Sequence, residues 1–172
     1  MDLYQKCFDK PGLAEWTPLG TAGVTPCVNE VGAFPTKNFQ TTYFEGHEKI
    51  GGQAMKDKII VTDKGCFACP TPCGKYSKFM KNGKEVFVEG PEYETIAMVG
   101  GDCMLPEIED VAYANKVCDD LGLDTISGGA VIAFALGTHF GFDKGIFDLL
   151  DAKVGGQELP EGALLECDGC KY

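Results

Sequence analysis

GCFACPTPCGKY, residues Gly65 to Tyr76, sets Cys66, Cys69 and Cys73 in a C-x2-C-x3-C run framed by Pro70 and Pro72. Proline removes a backbone donor and fixes φ, so the stretch is kept out of a helix and reads as a loop. Three thiolates presented from one short loop can hold three irons of a cubane cluster, leaving the fourth iron for a distant cysteine. A free cysteine is otherwise most often a small buried hydrophobe. That is the reading for Cys7, Cys27, Cys103 and Cys118, which stand singly among apolar neighbours. Zinc is the rival ion, because Cys66-x2-Cys69 and Cys167-x2-Cys170 make two zinc-type pairs. About a hundred residues separate those pairs, whereas ribbon sites close within about 15 to 20, and zinc would leave Cys73 without a role.

Composition narrows the class of protein. The chain has 172 residues, enough for one well-buried domain. Its 26 acidic against 15 basic residues give a net charge of -11, which speaks against a nucleic-acid partner, because phosphate binding needs a concentrated basic surface. Met1 is followed by Asp2 and a mixed polar stretch, so no signal peptide is expected, and no run of about 18 apolar residues suggests a membrane span. Nine cysteines, an odd count with no export signal, argue against a disulfide framework and for a reducing cytoplasm.

Along the chain, the segment GTAGVTPCVNEVGAF predicts a short helix over Thr25 to Val31 with Gly32 as its stop, and Pro35 to Phe44 reads as a loop. A helical pattern resumes over 46 to 58. KIIVT at 58 to 62 and VFVEG at 86 to 90 read as short strands, the second preceded by the turn Lys81-Asn82-Gly83-Lys84. The spacing of Ile108, Val111, Ala112, Val117, Cys118 and Leu121 predicts a helix from Pro106 to Leu121, terminated by Gly122. Ser127 is the expected cap of a further helix over Gly129 to Thr138. Residues 141 to 172 are glycine-broken, with one possible short helix at Ile146 to Ala152. The division expected is a unit over 1–140 and an extension over 141–172.

Two acidic motifs accompany the cysteines. Asp119-Asp120-Leu121-Gly122-Leu123-Asp124 sets two carboxylates across a helix-ending glycine, where reversal of the chain can turn both towards one donor-rich ligand such as an aminopyrimidine ring. A helix end with exposed acids explains the same residues. Gly90-Pro91-Glu92-Tyr93-Glu94-Thr95 leads two glutamates into the apolar run IAMVG, where desolvation would raise a carboxyl pKa and suit it to proton transfer. Capping of the next helix is the alternative.

The order GTAGV, PTKNFQ, GCFACPTPCG, GPEYET, NKVCDDLGLDTIS resembles the middle of the aldehyde ferredoxin oxidoreductase family, tungsten-pterin enzymes of anaerobes, from about Leu19 to Phe134. The resemblance implies a mainly α fold, a helical domain with short strands and long loops. It implies a [4Fe-4S] cluster on Cys66, Cys69 and Cys73, and pterin contacts at Asp119 and Asp124. It also implies a glutamate near tungsten, matched to Glu94, and an approach of Asn38 to the cofactor. The implied activity is oxidation of an aldehyde to a carboxylate at a tungsten-bis-pterin (molybdopterin-type) centre, with electrons passed through the cluster to ferredoxin.

The chain also departs from the family pattern. Family members carry an N-terminal β domain that forms much of the pterin seat, and a long helical C-terminal domain with a catalytic histidine and the fourth cluster cysteine. Here the sequence starts past the first and ends at Glu166-Cys167-Asp168-Gly169-Cys170-Lys171-Tyr172. Cys170 is the candidate fourth ligand and Cys167 the fallback. His47 and His139 match no catalytic segment and read as structural. The expectation is therefore that this chain alone is an incomplete enzyme, whether as a fragment, a truncated gene product or a subunit whose missing domains come from other chains. An autonomous [4Fe-4S] electron-transfer module and a zinc-stabilised structural domain stand as alternatives.

Overall fold

Along GKYSKFMK, the residues Lys75, Ser77 and Phe79 are buried while their neighbours are more exposed, the period of two that a half-buried strand requires. This is the middle strand of a three-stranded antiparallel sheet in the computed structural model, which describes residues 5–6 and 16–142. The strands are β1 (Ile60–Lys64), β2 (Gly74–Lys81) and β3 (Lys84–Glu89), in the order β1-β2-β3. Asn82 at φ 52 and Gly83 at φ 73 make the β2–β3 turn, two left-handed residues matching the right-handed strand twist. β2 is absent from the sequence reading, and β1 begins two residues later than expected.

Helices make up most of the rest, so the fold is mainly α. A helical turn α1 (Trp16–Leu19) leads through a 3-10 turn at Gly20–Val24 into α2 (Thr25–Glu30), and Gly32 at φ 69 turns the chain away. The helical pattern over 46 to 58 is split at the extended Gly51 into α3 (His47–Ile50) and α4 (Gly52–Lys58). After the sheet, α5 (Tyr93–Thr95) runs on as a π-helical turn over Ile96–Gly101.

The long helix α6 (Ile108–Leu121) starts two residues later than the periodicity suggests, because Glu107 is still extended. Gly122 at φ 67 ends it, as expected. α7 (Thr125–Ala135), continued by a π-helical turn at Leu136–Phe140, corrects the assignment of its cap. Asp124 is the N-cap, and its side chain accepts the Ser127 N–H at 2.7 Å, so Ser127 is the residue being capped.

One core joins these elements. Phe34, Ile50, Met55, Ile59, Ile96, Val99, Ile108, Val111 and Leu136 are all essentially inaccessible. Each such side chain contributes about 1.5–3 kcal/mol through removal of apolar surface from water. Phe34 stacks on Phe44 with centroids 6.4 Å apart and meets Tyr93 edge-on at 6.2 Å.

The PTKNFQ segment is a loop, and Lys37, Asn38 and Phe39 all sit at φ of 55 to 56. That conformation costs non-glycine residues about 1–2 kcal/mol each. The offsetting bonds run from the Lys37 N–H to the Gly101 carbonyl (3.2 Å) and from the Asn38 N–H to the Asp102 carbonyl (3.0 Å). A third joins the Phe39 N–H to Asp102 Oδ1 (2.8 Å). No single helix among the described residues is long and apolar enough to cross a membrane. Of the expected 141–172 extension, all beyond Phe142 lies outside the described residues.

Candidate cofactor site

The cysteine loop spans the gap between β1 and β2, closed at its base by the Lys64–Gly74 pair of the sheet. Within it, the Cys69 N–H donates to the Cys66 carbonyl at 3.0 Å and the Cys73 N–H to the Thr71 carbonyl at 2.9 Å. Cys66 and Cys69 are exposed and Cys73 is half-buried. Phe67 beside them is fully exposed. Buried Cys103 and Cys118 behave differently, since burial pushes both thiols up, Cys103 to about 12.

Among the described residues no three His, Cys, Asp or Glu side chains are gathered so as to hold a metal ion. The donor set nevertheless suits a soft metal or an iron–sulfur cluster: three cysteines on one loop, two exposed and one half-buried. Cys167 and Cys170 lie outside the described residues.

A second feature adjoins the base of this loop. Glu89, Gly90, Glu92, Asn115 and Asp119 line an open cavity of about 350 Å³. A Cβ on Gly74, the residue after Cys73, would lie 3.8 Å from Glu92 Oε1, so the cavity wall reaches the strand that leaves the cysteine loop. Asn115 Nδ2 donates to the Glu89 carbonyl at 2.9 Å and to Asp119 Oδ2 at 3.3 Å. Burial pushes the Asp119 carboxyl up, with Lys116 opposing and Asp120 and Glu89 reinforcing.

The two acidic motifs are thus physically joined, since the Thr95 hydroxyl donates to Asn115 Oδ1 at 3.4 Å and pairs with the Thr125 hydroxyl at 2.9 Å. The GTAGV turn is tied in as well. The Thr21 hydroxyl donates to Glu92 Oε2 and accepts the Tyr93 N–H at 2.9 Å.

The other candidates fall elsewhere. Asp124 does not line the cavity; its hydrogen bond from the Ser127 backbone lowers its pKa and marks it as a cap. Glu94 is exposed on α5, and its neighbour Glu92 is the glutamate in the cavity. Asn38 is half-buried and abuts Gly137, where an added Cβ would come within 2.9 Å of Asn38 Nδ2. His47 ties α3 to the core: its Nδ1 lies 2.9 Å from Asn29 Nδ2 and 3.0 Å from the Phe44 carbonyl. The His139 side chain lies outside the described part. Sequence reasoning passed over Thr21, Asn115 and Lys75. No local pattern flags Lys75, because the inward face of β2 opens with two polar residues, Lys75 and Ser77.

The chain matches the family described as "Aldehyde ferredoxin oxidoreductase, domains 2 & 3" over residues 1–159, and it belongs to that family of oxidoreductases. It is 40% identical over 117 residues to a tungsten-containing aldehyde ferredoxin oxidoreductase of Thermococcus kodakarensis, covering 68% of this chain and 19% of that protein. A protein of the same description from Pyrococcus abyssi is 36% identical over 141 residues, covering 82% and 22%. An aliphatic sulfonate oxidoreductase, WOR-like subunit, of Pyrococcus furiosus is 27% identical over 138 residues, covering 78% and 21%. The chain therefore spans about a fifth of the length of the curated relatives it matches.

Proposed function

We propose that this chain contributes the cluster-bearing and pterin-contacting part of a tungsten aldehyde:ferredoxin oxidoreductase. The observation supporting this reading is the adjacency of the three-cysteine loop to the Glu92–Asp119 cavity, across Gly74. When bound, the tungsten–pterin centre would supply oxygen transfer from water to the aldehyde, and the cluster would supply electron relay to ferredoxin.

The chain's own residues then divide the work. Cys66, Cys69 and Cys73 hold the cluster from one loop, with Cys170 as fourth ligand. Asp119, fixed by Asn115, offers acceptor oxygens to the N–H donors of a pterin ring. Asp124 holds the start of α7, which keeps the second half of the acidic motif in place beside the Thr95–Thr125 bond. Glu94, exposed on α5, is the group proposed to take up or release a proton at its carboxylate near substrate. Asn38, which abuts Gly137, is the residue of the PTKNFQ loop proposed to approach the cofactor. The remainder of the enzyme, corresponding to the rest of the relatives' length, would complete the pterin seat.

The test is anaerobic purification of the chain with whatever polypeptides accompany it, followed by iron, tungsten, zinc and pterin analysis. About four irons per chain together with tungsten and pterin support the reading. Four irons alone support an autonomous electron carrier instead. One zinc and no iron would replace both with a structural zinc domain.

A further inference from the structure

Lys75 is the second residue after Cys73 and points into the protein from β2, with its side chain only 2% exposed. Its ammonium group has three donors and meets three acceptors. Nζ lies 3.1 Å from the Pro72 carbonyl, 2.6 Å from the Thr17 carbonyl and 2.9 Å from Asp63 Oδ1. Those acceptors belong to the cysteine loop, to α1 and to β1. Removing an ammonium from water is costly unless each donor finds a partner, and here each one does.

The loop is fixed at the neighbouring residue too. Gly20 lies so close to Cys73 that an added Cβ would stand 2.2 Å from the Cys73 carbonyl oxygen and 3.5 Å from Lys75 Cε. The peptide groups of Pro72 and Cys73 are therefore gripped from beneath, on the side facing the protein, while Cys66 and Cys69 stay exposed above. The cavity, the sheet and the helices place no other buried ammonium in contact with this loop among the described residues.

The geometry points to Lys75 as a positioning residue: a buried cationic clamp that fixes the C-x2-C-x3-C loop from beneath and sets the electrostatic environment of the group its thiolates hold. The clamp stands on the contacts above, and the electrostatic part rests on the cluster reading of the preceding subsection. A fixed positive charge below a cysteine-ligated cluster favours its reduced, more negative state. Loss of that charge therefore shifts the midpoint potential downward.

The experiment uses the full chain with Lys75→Met, which keeps an unbranched apolar stem and removes the charge, and Asp63→Asn, which weakens the clamp from a half-exposed position. In the iron-free protein, alkylation of Cys66, Cys69 and Cys73 by iodoacetamide, followed by mass spectrometry, reads loop order. In the iron-reconstituted protein, redox titration of the visible absorption reads the potential. The expected result is faster alkylation of the loop thiols in both variants and a more negative potential in Lys75→Met. Unchanged alkylation rates and an unchanged potential overturn the proposal. If Lys75→Met does not fold, Asp63→Asn decides: alkylation at the parent rate overturns the clamp. If the parent chain takes up no iron, the cluster reading and the electrostatic role fall together, while faster alkylation in the variants still supports the clamp.

Discussion

Gly20 packs against the main chain of Cys73 at a distance that admits no side chain: a Cβ built on Gly20 would lie 2.2 Å from the Cys73 carbonyl oxygen. Gly20 also sits at φ 60. Two separate costs therefore fall on Gly20→Ala. A left-handed backbone costs an L-residue about 1–2 kcal/mol, and the contact with a carbonyl adds a displacement of the cysteine loop. The expected loss is at least about 2 kcal/mol in chemical denaturation, placing it among the larger point-mutant effects. Gly83→Ala supplies the control, because Gly83 has a similar φ of 73 and an added Cβ there would meet nothing within 4 Å among the described residues, so only the conformational cost should appear.

Thiol reactivity should divide the cysteines by burial. Cys103 donates to the Met98 carbonyl at 3.4 Å and the Gly129 carbonyl at 3.3 Å, and desolvation pushes it up to about 12. At pH 8 only about one molecule in ten thousand then carries a Cys103 thiolate, the form that attacks electrophiles. Native iron-free protein treated with iodoacetamide should be labelled at exposed Cys66 and Cys69 and stay unlabelled at Cys103 until unfolded. Rapid native labelling of Cys103 would show that the α7 contact opens readily.

The parts of this protein legible in its sequence are those set by neighbours in the chain. Asn82-Gly83 and Gly122 carry left-handed geometry that glycine and asparagine tolerate, and α6 shows its apolar face at helical spacing. The C-x2-C-x3-C stretch is visible as a loop for the same reason, since Pro70 and Pro72 keep it out of a helix. What stayed hidden depends on distant partners. The inward register of β2 opens with Lys75 and Ser77, so it looks solvent-facing until Thr17, Asp63 and Pro72 are seen around Lys75. That Glu92 is the glutamate of the segment lining the cavity likewise depends on Thr21, which is remote in sequence and hydrogen-bonded to Glu92. Asp124 and Ser127 both suit a helix cap, and the backbone direction of α7 decides for the aspartate.

Asp102 gives the fold a pH dependence of unusual sign for a carboxylate. It is fully buried, Oδ2 has no hydrogen-bond partner among the described residues, and burial raises its pKa although the Phe39 and Asn38 N–H groups pull the other way. A carboxyl whose folded pKa lies above its unfolded value stabilises the fold most below the unfolded pKa. That contribution is lost as pH rises through the folded value. Asp102→Asn keeps an acceptor for the Phe39 N–H and removes the charge. Its stability relative to the parent should therefore improve as pH is raised from about 4 towards neutrality. A variant that instead loses stability with rising pH would show that the Asp102 charge is needed to hold the PTKNFQ loop.

Asp124 carries the opposite dependence and separates a folding role from a cofactor role. Its carboxylate accepts the Ser127 N–H at 2.7 Å and its pKa is lowered by that bond, so its contribution is present above the unfolded pKa and fades as acid drives pH down through the folded one. Asp124→Ala removes the cap and leaves an unsatisfied donor in the first turn of α7. The variant should melt earlier than the parent at neutral pH, with the gap closing in acid. Asp124→Asn keeps a side-chain oxygen for Ser127 and should melt close to the parent at neutral pH, because asparagine caps about as well as aspartate. If Asp124→Asn preserves melting yet the anaerobically prepared protein retains less pterin, the carboxylate charge has a role beyond the cap. If melting and pterin retention stay at parent levels in Asp124→Asn while both fall in Asp124→Ala, capping accounts for Asp124, and no cofactor role for its charge remains.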